Sequence, residues 1–360
     1  MAELLRASRD RLPARSSIPR DVDGITPRWL TAVLGSTVEA AEPTDHTTGT
    51  TSRARIFLRG DDVPPSVFVK LAPTVLPTRV FVNLLGLGST EVSFYGSIRP
   101  HLPIEAPRAY AALEDRRLGR FALVLEDLAA RGVGFADVRE PATADQADAV
   151  LKALARLHAA FWDSPRFSKD LAWVRSHPED PNASLIRLLL RAAVGRVAKH
   201  APGLVPQRAR SLLTQRRAIE SALARGPLTL LHGDPHLGNI YFDRATPGFL
   251  DWQVVRRGHG LRDVAYFLVL SVDSDVRVAQ GRDLIRSYLD AFAAAGGPKI
   301  GFDEAWLRYR REAFYAWIAA AFTAGAGGLQ AAPIAEVGLR RATRALQDLD
   351  TTTALDQLLD

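Results

Sequence analysis

The chain changes texture once, near residue 127, and that change limits the folds open to it. Before it run short segments that alternate polar with apolar residues or are rich in β-branched and aromatic ones. They are Arg53 to Arg59 (RARIFLR), Ser66 to Leu71 (SVFVKL), Ala109 to Leu113, and Phe121 to Leu125 (FALVL). A period of two residues marks half-buried strands. From about Ala142 to the end run long Ala- and Leu-rich stretches with helical spacing, broken once between Leu228 and Trp252. The expected fold is α+β in two lobes: a polar arm over 1–25, a small β-rich lobe over 26–127, and a larger, mostly helical lobe over 128–360. A chain of 360 residues fits two packed lobes better than one small core. In the first lobe, Ser89 to Ile98 (STEVSFYGSI) has helical spacing. Thr26 to Leu34 reads as a short helix with Thr26 as N-cap and Pro27 at its first position.

Composition removes several classes. Apolar residues make up 47% and charged residues 24%, the usual balance of a soluble globular enzyme rather than a disordered chain. There is no cysteine, so disulfides, thiolate metal sites and a cysteine nucleophile are excluded. The N-terminus (MAELLRASRDRLPARSS) lacks the apolar core of a secretory signal. The longest uncharged stretch, Ala313 to Leu329, is short for a membrane span and reads as a buried helix. A cytoplasmic protein with no membrane partner is expected. The net charge of +6 raises nucleic-acid binding, but the densest cationic run, Arg187 to Arg217, has leucines at helical spacing and no interleaved aromatics. It reads as a solvated helix face, with no nucleic-acid partner.

The chemistry sits in LTLLHGDPHLGNIYFDRATPGFLDW, residues 228–252. A buried strand leads into His232-Gly233-Asp234, and Asn239 follows five positions after the aspartate. Asn239 opens a second strand, a Pro-Gly turn is expected at RATPG, and FLD returns as a third strand ending in Asp251. Such a hairpin gathers Asp234, Asn239 and Asp251. Phosphoryl transfer calls for that set: a carboxylate to take the proton of an acceptor hydroxyl, and hard oxygen ligands for magnesium on the nucleotide phosphates. Asp234 is the candidate base, and Asn239 and Asp251 the candidate metal ligands. Asp followed five residues later by Asn is the spacing of the protein-kinase catalytic loop. Upstream, Lys70 stands among apolar neighbours on a strand, with Glu91 on the following helix as its natural partner. The strand FALVL runs into Glu126-Asp127-Leu128, which looks like a hinge whose backbone meets adenine.

The motifs HGDPHLGN, FLDWQ, LVLEDL and EVSFYGSI resemble the aminoglycoside phosphotransferase and choline kinase superfamily. DWQ followed by RRGHGLRDVAYFL is most similar to its ecdysteroid-kinase-like branch. The resemblance covers 26 to about 325. It implies a protein-kinase-like fold and transfer of the γ-phosphoryl of MgATP to a hydroxyl of a small-molecule acceptor, by a monomer or homodimer. It also implies that Asp234 is the base, that Asn239 and Asp251 bind magnesium, and that Lys70 grips phosphates and is placed by Glu91. The phosphate-covering loop falls at Gly49, Thr50, Thr51 and Ser52, within TTGTTSR, where kinases carry more glycine.

Other readings of the same residues are narrower. His232, Asp234, His236 and Asp251 suit a zinc or manganese hydrolase, but that leaves Asn239, Lys70 and Glu91 unused. His232 is expected to brace the loop, and His158 to be a satisfied core histidine. Asp263 is expected to cap a helix start and tie down the loop rather than to bind a second magnesium. Arg256 and Arg257 suit either phosphate contacts or a solvated turn. An aminoglycoside-type antibiotic phosphotransferase and a catalytically weak nucleotide-binding regulator are the alternative functions.

Overall fold

The computed structural model describes residues 16–137, 139–328 and 330–359. The chain divides into two compact units. The first takes 1–102, 106–133 and 251–254; the second takes 103–105, 134–250 and 255–360. A short piece around Asp251 belongs with the first unit.

The first unit is built on a five-stranded antiparallel sheet of order β1-β2-β3-β5-β4. Its strands are β1 (Val38–Thr48), β2 (Ser52–Gly60), β3 (Ser66–Leu71), β4 (Ala109–Asp115) and β5 (Arg120–Glu126). The alternation in β2 buries Ala54, Ile56 and Leu58 on one face, where Val67, Val69, Leu71, Ala122 and Val124 join them. Directly opposite residues of an antiparallel pair share a face. Arg53 stands opposite Lys70, and Lys70 opposite Leu123, so these three lie on the other face. Strand β1 (VEAAEPTDHTT) carries too many polar residues to announce itself, and its Pro43 fits an edge position.

Helix Pro27–Leu34 starts as expected, with the Thr26 hydroxyl accepting the Trp29 N–H at 3.2 Å. The polar arm is corrected by the structure. Ile18, Val22 and Ile25 are buried in the sheet core, and the Ile18 carbonyl accepts from Arg120 Nη1 at 2.9 Å; residues 1–15 lie outside the described ones. Helix Leu87–Ser93 runs into a π-helical turn, Phe94–Ile98. Phe94 stacks on Trp252 with centroids 4.1 Å apart, which anchors the segment after Asp251 to the helix bearing Glu91.

The second unit is mostly helical. Helix Ala144–Ala160 opens with a Thr143/Gln146 capping box. Helix Leu261–Ser271 is buried almost all round, including Arg262 and Asp263. Around it pack Ser274–Ala294, Phe302–Ala326 and Ala332–Asp348. The expected buried helix after Ala313 lies within Phe302–Ala326; Leu329 is outside the described residues. Among the described residues no helix is long and apolar enough to cross a membrane.

After β6 (Gly134–Phe135), the block at 228–252 contributes β7 (Thr229–Leu231), β8 (Ile240–Asp243), which pairs with β6, and β9 (Thr246–Phe249). Its turn is not at Pro-Gly. Asp243 pairs with Thr246, so Arg244 and Ala245 make the bend, with Arg244 at φ 56°. Pro247 and Gly248 lie inside β9, an edge strand, where proline costs no ladder bond. β7 pairs with β10 (Arg256–Gly258). Arg256 and Arg257 are therefore strand residues, ion-paired to Asp180 at 2.7 Å and to Glu179, and not a solvated turn.

A Cβ on Gly248 would stand 2.1 Å from Tyr241 Cζ. Tyr241 is fully buried, so its ring has no room to retreat. Gly248→Ala is expected to destabilise the protein by about 1–3 kcal/mol, read as a lowered melting temperature.

Candidate active site

In the first unit, Lys70 comes from the middle of the sheet and Glu91 from the helix packed beside it. Lys70 Nζ lies 2.7 Å from both Glu91 carboxylate oxygens and 2.9 Å from Asp251 Oδ1. Lys70 and Glu91 are buried. Burial opposes the lysine charge, but the Asp251 and Glu91 carboxylates outweigh it and hold the Lys70 pKa above its ordinary value. Burial pushes Glu91 up to about 7; Lys70 pulls it down, Asp251 repels it, and Arg53 adds a smaller downward pull. Asp251 thus adds a second carboxylate on the ammonium of Lys70. Asp251 adopts φ 61°, rare for a residue with a Cβ and a form of strain found at functional sites. Gln253 Nε2 donates to its Oδ2 at 3.2 Å.

In the second unit the loop after β7 is fixed from behind. The Asp263 carboxylate, fully buried, accepts the His232 N–H at 2.7 Å and the Gly233 N–H at 3.0 Å. Asp263 lies in the first turn of helix Leu261–Ser271 but is not its cap; Gly260 holds that place. His232 Nε2 lies 2.8 Å from the Leu250 carbonyl, and the Asp234 N–H reaches Nδ1 at 3.3 Å. A carbonyl only accepts, so Nε2 carries the proton and Nδ1 is free to accept. His158 is fully buried, with Nδ1 3.0 Å from the Tyr288 hydroxyl and Nε2 3.4 Å from Asp263. It is a satisfied core histidine.

Asn239 ends a short 3-10 turn and β8 begins one residue later. Its Nδ2 donates to the Asp234 carbonyl at 2.9 Å and to Asp234 Oδ2 at 3.1 Å. With the nitrogen committed, the amide presents its oxygen as an acceptor. The other carboxylate oxygen, Oδ1, accepts the Tyr266 hydroxyl. His236 is half-exposed, 3.7 Å from Oδ2.

The remaining sequence candidates are placed as follows. Gly49, Thr50, Thr51 and Ser52 form the β1–β2 turn; the Gly49 N–H bonds the Thr51 carbonyl at 3.0 Å, and the Ser52 hydroxyl lies 2.9 Å from His46 Nε2. Glu126 accepts the Arg108 N–H at 2.9 Å. Asp127 accepts from Ser66 at 2.6 Å and pairs with Arg55 at 2.9 Å. Leu128 is buried. The side chains of Glu126 and Asp127 thus brace the end of β5. Among the described residues no three His, Asp or Glu side chains converge to cage a metal.

Sequence reasoning missed Tyr266. The signal was Asp263 and Tyr266 three residues apart on one helix face, the first aimed at the loop backbone and the second at its side chain. It also missed the support behind the tyrosine. Tyr315 lies 5.7 Å from Tyr266 between centroids and donates to the Gly233 carbonyl at 3.3 Å. The Arg262 guanidinium lies 4.9 Å over the Tyr315 ring and its Nε 2.8 Å from Glu312. Burial raises the Tyr266 pKa well above its usual value, and the Asp234 charge raises it further, so the phenol keeps its proton.

Comparison with known proteins gives a consistent picture. A family model described as "Phosphotransferase enzyme family" matches residues 49–309. No curated protein matches the chain. Among solved structures, an ethanolamine kinase from Plasmodium vivax is similar, with a TM-score of 0.54 at 11% identity, over 85% of this chain and 82% of that one. Amicoumacin kinase, solved with AMP-PNP, Ca2+ and its ligand, is similar with a TM-score of 0.52 at 13% identity, over 85% of this chain and 88% of that one. The fold is therefore that of the small-molecule kinases, protein-kinase-like and α+β.

Two outcomes follow from this geometry. Tyr266→Phe removes a neutral donor to a carboxylate, a bond of about 1.5–3 kcal/mol. It is expected to lower kcat about tenfold while the melting temperature changes little. Buried His177 has its pKa held well below the usual value, by burial first and then by Arg256, Arg262 and Arg216. The unfolded chain takes up that proton below about pH 6.5 and the folded one does not. Stability is then full above that pH and falls as the solution is acidified, and His177→Asn should flatten the slope of melting temperature against pH below about 6.5.

Proposed function

The chain belongs to the phosphotransferase enzyme family, and on that premise we propose that it moves the γ-phosphoryl group of MgATP to a hydroxyl of a small-molecule acceptor. One observation carries the choice of base. Asp234 sits on a backbone pinned by Asp263, with one carboxylate oxygen bonded by Tyr266 and the other by Asn239. A carboxylate has about four lone-pair directions, so room is left for an acceptor hydroxyl to donate. Asp234 orients that oxygen for attack on the γ-phosphorus. As the new P–O bond forms and the bond to the ADP oxygen breaks, Asp234 takes the hydroxyl proton.

Magnesium fits the residues proposed for it. An amide oxygen on Asn239 and a carboxylate on Asp251 are hard donors, and magnesium needs few from the protein. Asp251 is also held in place by its bond to Lys70. When bound, the ion would neutralise charge on the phosphate oxygens. Lys70, held on both Glu91 oxygens, is proposed to grip the phosphates. The turn Gly49 to Ser52 is proposed to cover them, and the backbone of Glu126 to Leu128 to meet adenine.

Asp234→Ala is expected to lower turnover by about 10²-fold or more while nucleotide affinity is kept. ADP release in the presence of a panel of sugars, amino alcohols, aminoglycosides, macrolides and sterol-like alcohols measures it. A variant that turns over like the parent rules Asp234 out as the base.

A further inference from the structure

Resting on the nucleotide reading above, we propose that Arg53 is a further phosphate-binding residue, whose guanidinium supplies the donors that a glycine-poor turn lacks and holds nucleotide phosphate oxygens beside Lys70. Arg53 is the second residue of β2, after Ser52, and stands directly opposite Lys70 on β3. The two cations therefore share the face of the sheet turned away from the core that Ala54 and Val69 enter. The arginine also reaches back over the turn, with Nη2 3.7 Å from the point a Cβ on Gly49 would occupy. One side chain thus spans the two elements proposed to hold phosphate.

Arg53 is also unspent. Its Nε is buried with no hydrogen-bond partner among the described residues. Arg55, two residues on and facing the same way, also has a buried Nε without a hydrogen bond among the described residues, but it is ion-paired with Asp127 at 2.9 Å. Lys70 is not in that position either: two carboxylates stand within 2.9 Å of its ammonium. A triphosphate approaching this face meets one cation bonded to two carboxylates and one that acts on Glu91 only through a weaker charge contact. The turn offers few donors in its place, since the Gly49 N–H is bonded inside the turn to Thr51. A guanidinium is suited to the substitution, because its planar fork donates two parallel bonds to phosphate oxygens.

A purely structural role for Arg53, as a distant counter-charge to Glu91, gives a different result in one experiment. The full chain and its Arg53→Met and Arg53→Lys variants are titrated calorimetrically, in magnesium, with ATP, ADP and adenosine. Arg53→Met is expected to lose about 10- to 100-fold in ATP affinity, less for ADP, and nothing for adenosine. Arg53→Lys, which keeps the charge without the fork, should recover part of the loss. The inference is overturned if Arg53→Met binds ATP as tightly as the parent, or if it loses ATP and adenosine alike. A parent chain that binds none of the three ligands removes the nucleotide reading itself, and this inference with it.

Discussion

The loop that carries Asp234 depends on a carboxylate buried behind it. Asp263 is fully buried and bonds the backbone N–H groups of His232 and Gly233. A buried charge without partners is costly, and these donors, with His158, meet the cost. The interaction cuts both ways. It holds the loop against helix Leu261–Ser271, and it makes that helix incomplete without the loop. Gly233 sits at φ 88°, which a residue with a Cβ rarely adopts, so the bend after β7 is written for this arrangement. Asp234 then emerges with its direction already set.

The side chain of Asp234 is held as firmly as its backbone. Tyr266 and Asn239 bond its two oxygens, one from a long helix and one from the short turn before β8. A carboxylate kept in one rotamer loses little freedom when a ligand meets it. The first unit follows the same logic with different chemistry. Lys70 is fixed by two acids, and the Phe94–Trp252 stack fixes the segment that delivers one of them. In both units a reactive group is placed by its neighbours' packing and not by its own flexibility.

Much of this was legible in the sequence, and the limits have physical causes. The strands with apolar alternation, β2 to β5, were readable, as were the Thr26 cap and the five-residue step from Asp234 to Asn239. Lys70 could be matched with Glu91 because a lysine among apolar strand residues needs a partner. β1 was not readable, because an edge strand needs no apolar face. The arm before Thr26 looked polar although Ile18, Val22 and Ile25 carry it into the core. Pro247-Gly248 looked like a turn, yet edge position makes proline tolerable and contact with Tyr241 makes glycine necessary. Tyr266 and Arg53 were hidden for a common reason: each stands beside a residue distant in sequence, Asp234 or Lys70, and only helix phase or strand pairing reveals the match.

The claim that the loop carrying Asp234 is pinned from behind can be tested in solution by amide hydrogen exchange resolved at single residues. If Asp263 holds the loop, the His232 and Gly233 amides open only with large-scale unfolding and exchange among the slowest in the chain. Exchange at those two amides as fast as at the exposed Arg244–Ala245 bend would contradict the account, because Asp234 would then ride on a mobile loop.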